Sequence, residues 1–525
     1  MAETLLLRDA RTASGADPVD VLLADGVVAA VGPDTVAAGA RPGAREIALD
    51  GRWLLPGLWD EHVHFTQWAL SRRRIDVSAA HTAGGAAALV AAHLGEHGAE
   101  VPPHPEHPLV GYGFRDGLWP DQPSVELLDR AAGALPVVLV SADLHCLWLN
   151  SAALGLYRSE VGDAPGGTDG TGLLVEDHAF AVTGRLAEVP DELVDQWAAD
   201  AAAAAAARGV VGVVDLEMAW NAEIWGRRVA GGMRSLRVDT GIYPQHLDRA
   251  LAEGLRTGDP VPGGAGLVTV GPLKILIDGS LNTRTACCAE PYPDGSTGLL
   301  TVQPDELLDV LRRAVGGGLV PAVHAIGDRA NRIALDAFEA LGSGGRIEHA
   351  QLVANADVPR FAALGVTASV QPEHAMDDRD VADRHWAGRT ARAFLLRSLL
   401  DAGATLAFGS DAPVSPLDPW HAVAAAVART RGDLPAWHPE QAIPVADALA
   451  SSSRGRRRIR PGDPADVVAV DRDPWTAPAP ELRAMPVALT TVAGAPTHLA
   501  PELRAMPVAL TTVAGAPTHL APELG

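Results

Sequence analysis

The chain contains 42 lysine and arginine residues, and only one of them, Lys274, is a lysine. It lies in an apolar run between Gly271 and Ser280, which is typical of a buried strand. Arginine keeps its proton at any working pH, whereas a buried lysine amine can lose it and act as a nucleophile, form a Schiff base or take up CO2 as a carbamate. We interpret Lys274 as a residue kept for chemistry; the alternative is a surface lysine that escaped replacement.

Histidine and aspartate residues close other predicted strands. In His62-Val-His64 the alternation of side chains along a strand places both imidazoles on one side. His324, His349 and Asp411 are predicted to end three further strands. Each of them alone is explained by a hydrogen-bonded core histidine or a helix N-cap aspartate. Together with Lys274 they indicate a site built from nitrogen and oxygen ligands on separate strands.

Composition narrows the protein class. A mass of 54.4 kDa with 47% hydrophobic residues predicts one large domain and a smaller one. The net charge of −23 argues against nucleic-acid binding. Cys146, Cys287 and Cys288 are too few for a disulfide framework or a cysteine zinc site, so any metal must use histidine and carboxylate. With no signal-like start or membrane-length run, we expect a cytoplasmic protein that binds no membrane.

Eight strand candidates alternate with helices, which predicts a (β/α)8 barrel over residues 56–455 with catalytic groups at the strand ends. They are 57–64, 209–217, 236–243, 268–277, 319–324, 346–349, 366–371 and 405–411. The count requires residues 66–208 to be an insertion after the first strand, with its own strands at 109–114 and 137–141. Short strands in 1–55 and 456–525 predict a small β-sandwich built from both termini.

Residues 480–500 recur letter for letter as 501–521. Two copies do not make a solenoid, so one copy is expected to complete the sandwich and the other to be surplus. The nearer copy, 480–500, is expected to join the sandwich because it follows the strand at 466–470 after a short turn, whereas the farther copy would leave a long loop to close.

These motifs resemble the amidohydrolase superfamily, over nearly the whole chain, and within it the YtcJ-like branch that includes N-substituted formamide deformylase. The segments that carry the resemblance are 55–64, 143–145, 150–154, 274–280, 284–286, 291–292, 324–329, 346–351, 371–374 and 408–413. One stretch departs from the family: 451–460 is short and basic where a helix, a turn and a strand are expected, which bears on assembly of the sandwich.

The resemblance implies a ligand set. His62, His64 and Asp411 would bind a first metal, His324 and His349 a second, and a carbamate on Lys274 would bridge them. Such ligands suit Zn²⁺, and two ions roughly 3.5–4 Å apart can share a hydroxide. A site with a single metal stays open.

Asp411 would act as general base and acid, and Asp60 would orient a ligand histidine from behind. Six residues are expected to contact substrate: His145, Asp116, Trp119, Asp278, Arg284 and His374. The insertion would lie over the barrel mouth, although packing within a subdomain explains its residues equally well.

The resulting hypothesis is a metal-dependent hydrolase that cleaves a non-peptide C–N bond, in an amide or formamide of a small apolar amine. A deaminase or a cyclic amide hydrolase is the alternative on the same site, and Lys274 argues against the deaminase. A catalytically inert scaffold is the alternative from another class, which the six filled ligand positions disfavour. The expected partners are a small-molecule amide and a second copy of the chain in a homodimer.

Overall fold

The computed structural model describes residues 4–13, 15–32, 44–97, 108–116, 119–142, 146–175, 177–186, 189–504, 510–513 and 516–520. The chain forms two compact units. The first comprises residues 1–65 and 202–525, and the second comprises residues 66–201. The domain boundaries at 55, 66, 208 and 455 stay predictions.

Eight parallel strands of the first unit form one sheet, in which each strand pairs with the next along the chain. They are β1 (Leu58–Val63), β2 (Val210–Asp215), β3 (Arg237–Ile242), β4 (Val268–Leu276), β5 (Pro321–Ala325), β6 (Arg346–His349), β7 (Thr367–Val370) and β8 (Leu406–Phe408). The two outer strands meet, because the Asp411 amide donates to the His62 carbonyl at 2.7 Å and the His64 amide to the Ala412 carbonyl at 2.9 Å. These bonds close the predicted (β/α)8 barrel.

Of the eight predicted strand ends only the one at His349 matches, and the other seven are wrong by one to three residues. β1 stops at Val63, so His64 follows the strand. β5 continues past His324 to Ala325, and β8 stops at Phe408, so Asp411 lies in the following loop. The loop starts because Gly409 packs against the backbone of His62 and because Asp411 adopts a left-handed conformation with φ 57°, which ends an extended strand.

Helices follow most barrel strands and cover the sheet. Their apolar faces bury residues such as Leu311, Phe338 and Phe361 against the outer side chains of the strands, as amphipathic helices on a parallel sheet must. The helices are Asn221–Ala230, Leu247–Ala252, Pro304–Gly317, Asp328–Leu341, Val358–Ala363, His374–Asp377, Arg379–His385, Leu396–Asp401, Pro419–Ala428 and Val445–Ser451, with 3₁₀ turns at Pro244–His246, Thr390–Arg392 and Pro439–Gln441.

Both ends of the chain build two four-stranded sheets, as predicted. One contains Leu5–Ala10, Val19–Ala24, Val27–Val31 and Arg45–Ala48, and the other contains Trp53–Pro56, Val467–Val470, Val487–Val492 and Ala495–Leu499. Buried side chains of both sheets, among them Leu5, Val21, Val467 and Leu489, share one hydrophobic core. The basic segment 451–460 thus does not prevent the two sheets from sharing one core.

The two copies of the tail repeat differ in structure. Strands of the first copy enter the terminal sheet beside Val467–Val470, as connectivity predicts. Those of the second, Leu510–Val513 and Ala516–Leu520, pair with each other in a separate two-stranded sheet. Each copy begins with a short helix, Ala479–Arg483 and Pro501–Arg504.

The second unit has its own five-stranded sheet, in which the predicted strands Leu109–Phe114 and Val137–Ser141 are confirmed. The other strands are Ile75–Asp76, Cys146–Leu149 and Leu173–Val175; the helices are Ala83–His97, Val125–Ala132, Ser151–Leu156, Arg158–Val161 and Asp177–Leu186, with a 3₁₀ turn at Pro165–Gly167. Helices Phe65–Ser71 and Asp191–Ala206 cross the unit boundaries. Within the described ranges, none of the helices has the length and apolar character needed to cross a bilayer.

Candidate metal centre

His62 lies on β1 and is buried, with 1% of its surface exposed. Its Nδ1 lies 2.7 Å from Oε2 of Glu348 on β6. Because a carboxylate only accepts hydrogen bonds, Nδ1 carries the proton and Nε2 is left with a free lone pair. Burial and the nearby charge of Lys274 lower the pKa of His62 to about 4. The ring is therefore neutral at neutral pH, the form that binds a metal.

His349 at the end of β6 is arranged in the same way. Its Nδ1 lies 2.9 Å from Oε1 of Gln371, and an amide oxygen likewise accepts, so Nε2 is again the free atom. Burial, with His324 and His62 beside it, holds the pKa of His349 well below its usual value. Two imidazoles thus present unprotonated nitrogens to one space.

Asp411 faces these nitrogens. One of its carboxylate oxygens lies 3.4 Å from Nε2 of His62 and 3.5 Å from Nε2 of His64. Ligand atoms of His62, His349 and Asp411 all lie within 4.8 Å of one another. Burial opposes ionisation of Asp411, but the surrounding imidazoles outweigh it and hold its pKa well below the usual range.

The donor set fits a divalent cation. An imidazole nitrogen without a proton and a carboxylate oxygen cannot hydrogen-bond to each other, and bringing them together in a buried site is costly unless a cation or proton lies between them. Nitrogen and carboxylate oxygen are the ligands that zinc takes in catalytic sites. His62, His349 and Asp411 can therefore hold one metal ion.

Two more imidazoles adjoin this group. The ring of His324 lies 4.4 Å from that of His349, and the ring of His374 lies parallel to His349 at 6.3 Å. Nε2 of His324 and of His374 has no hydrogen-bond partner among the described residues. Burial and the charge of Lys274 lower the pKa of His324 to about 3, so this ring too is neutral.

Lys274 lies on β4 and is 2% exposed. It pairs in register with Ala322 on β5, and Leu276, two residues further along β4, pairs with His324. Burial lowers the pKa of the Lys274 amine to about 8, although the charges of Glu348 and Asp411 oppose the shift. A substantial share of the amine is therefore uncharged slightly above neutral pH, as reaction with CO2 requires.

The grouping of ligands differs from the one that the resemblance implies. The resemblance places His62 and His349 on different ions, whereas their ligand atoms and that of Asp411 all lie within 4.8 Å of one another. The division of ligands between one or two ions stays a prediction.

Asp60 contacts the backbone of the site and not an imidazole ring. Its carboxylate accepts hydrogen bonds from the backbone amides of His62 and Ser410, at 3.1 and 3.0 Å. The group that orients the His62 ring is Glu348, so Asp60 fixes the backbone, and burial raises its pKa to about 7.

Of the expected substrate contacts that the structure describes, two adjoin the metal-ligand candidates: His374, with Nε2 4.0 Å from Asp411, and Asp278, beside His324. The carboxylate of Asp278 is buried, where it accepts from the amides of Cys287, Ile326 and Gly327. It therefore holds a loop, although one oxygen lies 3.5 Å from His324. Arg284 is exposed and pairs with Asp294.

The remaining expected contacts belong to the second unit. Trp119 packs against Phe114 and Trp148 in the core of that unit, which agrees with a packing role. The backbone carbonyl of Asp116 accepts a hydrogen bond from the backbone amide of Trp119. His145 lies outside the described residues, and the position of the insertion over the mouth stays a prediction.

Sequence reasoning missed the two residues that set the imidazole tautomers, Glu348 and Gln371. Glu348 is also paired with Arg346, which binds Glu61, so a buried chain of alternating charges lies behind His62. Both residues stand within motifs that carry the family resemblance. The available signal was a buried acid or amide immediately beside a strand-end histidine, which is what an orienting partner requires.

Residues with a strained, left-handed backbone conformation lie at the candidate metal centre. His349 and Ala350 have φ 75° and 42°, and Asp411 has φ 57°. Left-handed conformations are costly for residues with a Cβ atom and cluster at functional sites. With this backbone the ring of His349 lies 4.8 Å from that of His62 and 4.4 Å from that of His324.

A family model described as "Amidohydrolase family" matches residues 45–498. The chain belongs to the amidohydrolase family. The family and the buried group of His62, His349 and Asp411 together indicate a metal-dependent hydrolase built on a barrel.

Curated relatives cover most of the chain. Protein LONG AFTER FAR-RED 3 of Arabidopsis thaliana is 29% identical over 82% of this chain and 80% of its own length. The putative amidohydrolase YtcJ of Bacillus subtilis is 28% identical (86% and 90%), and N-substituted formamide deformylase of Arthrobacter pascens is 27% identical (90% and 94%). An uncharacterized metal-dependent hydrolase from Pyrococcus horikoshii has a similar structure, with a TM-score of 0.77, 25% identity and coverage of 91% and 99%.

Proposed function

We propose that this amidohydrolase cleaves a non-peptide C–N bond, in an amide or formamide of a small amine, with the help of a divalent metal, most simply Zn²⁺. The observation that carries the proposal is the buried group His62, His349 and Asp411, whose ligand atoms share one space. The similarity to N-substituted formamide deformylase supports an amide-type substrate. The cytoplasmic location and the homodimer remain proposals beside it.

His62, His349 and Asp411 would hold the ion, with His64, His324 and a carbamate on Lys274 as the further ligands of a two-metal site. When bound, such an ion polarises a carbonyl and lowers the pKa of water toward neutrality. Asp411 is ionised at neutral pH, so it accepts a proton from the attacking water. It then returns this proton to the amine nitrogen as the C–N bond breaks. Glu348 and Gln371 keep the imidazoles in the required tautomer.

Lys274 supports a carbamate because its uncharged amine can add to CO2 with release of one proton. The product is a carbamate anion. The modification therefore replaces a buried ammonium group by an oxygen ligand that lies among imidazoles. An unmodified Lys274 would instead place a like charge beside the metal, which is unfavourable in a buried site.

The test is a substrate screen with the purified protein, loaded with Zn²⁺ and bicarbonate. N-formyl amines, N-acyl amines, cyclic amides and amino-purines would be compared by detecting released amine, acid or ammonia. We expect turnover of N-formyl or N-acyl amines, and Asp411→Asn should lower it by roughly 10²-fold or more. Asp401→Asn, on the surface, is the matched control.

Ammonia release from amino-purines alone would favour the deaminase, and ring opening would favour the cyclic amide hydrolase. If no substrate turns over although the metal is bound, the inert scaffold becomes the better explanation.

A further inference from the structure

Glu373, which directly precedes His374, is a buried carboxylate held by two arginines. Its two oxygens accept from Nη1 and Nη2 of Arg483 at 2.9 and 2.8 Å, and Arg431 donates to it at 3.1 Å. The side chain of Glu373 is only 4% exposed. A planar guanidinium that meets a carboxylate through two parallel bonds fixes both orientation and distance.

Arg483 is itself firmly placed. It ends the helix Ala479–Arg483, whose Leu482 is fully buried against the barrel helices. Arg208 donates to the backbone carbonyls of Arg483 and Met485, at 3.3 and 2.8 Å. The first copy of the repeated tail thus reaches from the terminal sandwich to the loop after β7.

That loop carries His374 into the candidate metal centre. Glu373 precedes the short helix His374–Asp377, and Asp377 at its other end binds Arg431 at 2.5 Å and the hydroxyl of Ser415 at 2.8 Å. Ser415 belongs to the loop that carries Asp411. The helix is therefore held on one side by Arg483 and Arg431 and on the other by the Asp411 loop, with Nε2 of His374 4.0 Å from Asp411.

We infer that Arg483, in the first copy of the repeat, is a positioning residue of the active site, which holds His374 opposite Asp411 through Glu373. The inference rests on the proposed function, in which His374 faces the reacting atoms. It assigns the two copies different roles although their sequences are identical. The second copy has Arg504 at the equivalent place, and that residue should have no influence on the site.

The duplication offers a control that few proteins have, because the same substitution can be made in the same local sequence. Arg483→Ala should lower kcat on the order of tenfold to a hundredfold, since a small displacement of a group near the reacting atoms is costly. Arg504→Ala should leave kcat and KM unchanged. Arg483→Lys should recover part of the loss, because an ammonium restores the charge but not the two-pronged contact.

A second readout does not depend on turnover. In protein labelled with ¹³C at histidine Cε1, the His374 signal, assigned by its loss in His374→Gln, should shift in Arg483→Ala and stay in place in Arg504→Ala. Identical kcat and identical His374 signals in the two alanine variants would refute the inference. If Arg483→Ala fails to fold, Arg483→Lys carries the same comparison. Should no amide be cleaved by the unaltered protein, the proposed function fails, whereas the histidine signals still decide the positioning role.

Discussion

At the level of single residues, Lys274 is the group whose chemistry decides between the proposed mechanisms. It is the single lysine of the chain, and burial lowers the pKa of its amine to about 8. Lys274→Arg keeps a positive charge that cannot form a carbamate, so we expect loss of activity and a lower metal content by elemental analysis. Lys274→Ala should regain part of the activity when short carboxylates are added, because they can occupy the vacated space.

The pH dependence of this activation has a definite sign. Only the uncharged amine adds to CO2, and its share grows as the pH rises toward 8 and beyond. Activation of the metal-free protein by bicarbonate and Zn²⁺ should therefore become faster with rising pH in that range. An Arg variant that binds two metals with full turnover would exclude the bridging carbamate.

Glu348 is the residue that readies His62 for a metal. Glu348→Gln removes the charge that Nδ1 of His62 faces, and loss of such an orienting partner typically weakens metal binding 10–100-fold. Competition with a fluorescent zinc chelator measures the change. Glu339→Gln, on an exposed helix position, should bind metal as the unaltered protein does; equal affinities in both variants would mean that Glu348 does not prepare the ligand.

His64 makes metal binding sensitive to acid. Burial lowers its pKa, but the hydrogen bond and charge of Asp411 outweigh burial, and the pKa is raised above the usual value. Since a metal needs the neutral ring, affinity should fall once the pH drops below this raised pKa, and binding near it should release protons. Calorimetry in buffers of different ionisation enthalpy would detect the release, which His64→Gln should diminish.

At the level of elements, the closure between β8 and β1 depends on a glycine. A Cβ atom at Gly409 would lie 2.6 Å from the His62 nitrogen and 2.7 Å from its Cβ, so Gly409→Ala must push β1 away. We expect loss of metal binding together with a lower melting temperature. Gly316→Ala is the counterpart, because nothing lies within 4 Å of its added carbon and helix Pro304–Gly317 would gain roughly 0.5–1 kcal/mol. Equal behaviour of the two variants would contradict this view of the closure.

The barrel strands were predictable because apolar runs, turn residues and strand-end polar groups coincide in the sequence. Strand alternation also brought His62 and His64 to one side, and both face Asp411. The same rule assigns Glu348 and His349 to opposite faces, yet both serve the site. The reason is the left-handed backbone at His349, which a sequence pattern does not reveal because such conformations are rare outside glycine.

At the level of the whole molecule, the second copy of the duplicated tail has one part that packs in the folded core and another part that forms a separate hairpin. Leu503, in the helix that opens the second copy, is buried in the core of the terminal sandwich, whereas the strands after it form a separate two-stranded sheet. Deletion of residues 505–525 should therefore change neither activity nor melting. Deletion of 501–525 should keep activity but lower the free energy of unfolding by about 1.5–3 kcal/mol, the value of burying one leucine. An insoluble or inactive 505–525 deletion would show that the fold requires the second hairpin.

The pairing of the first copy followed from connectivity, because identical strands offer the sheet no other basis for choice. The packing of Leu503 could not be foreseen in this way. It results from three-dimensional contacts of a segment that looked entirely surplus in the sequence.

The burial of Lys274 also makes the chain its own conformational reporter. With a single lysine in the sequence, an amine-reactive reagent meets only that side chain and the amino terminus of the chain. While the barrel is closed, the Lys274 amine is shielded, so labelling is confined to the terminus. A second label, counted by intact mass, records a molecule whose barrel has opened around β4. Labelling against denaturant concentration would thus follow the opening of the metal centre without any introduced probe.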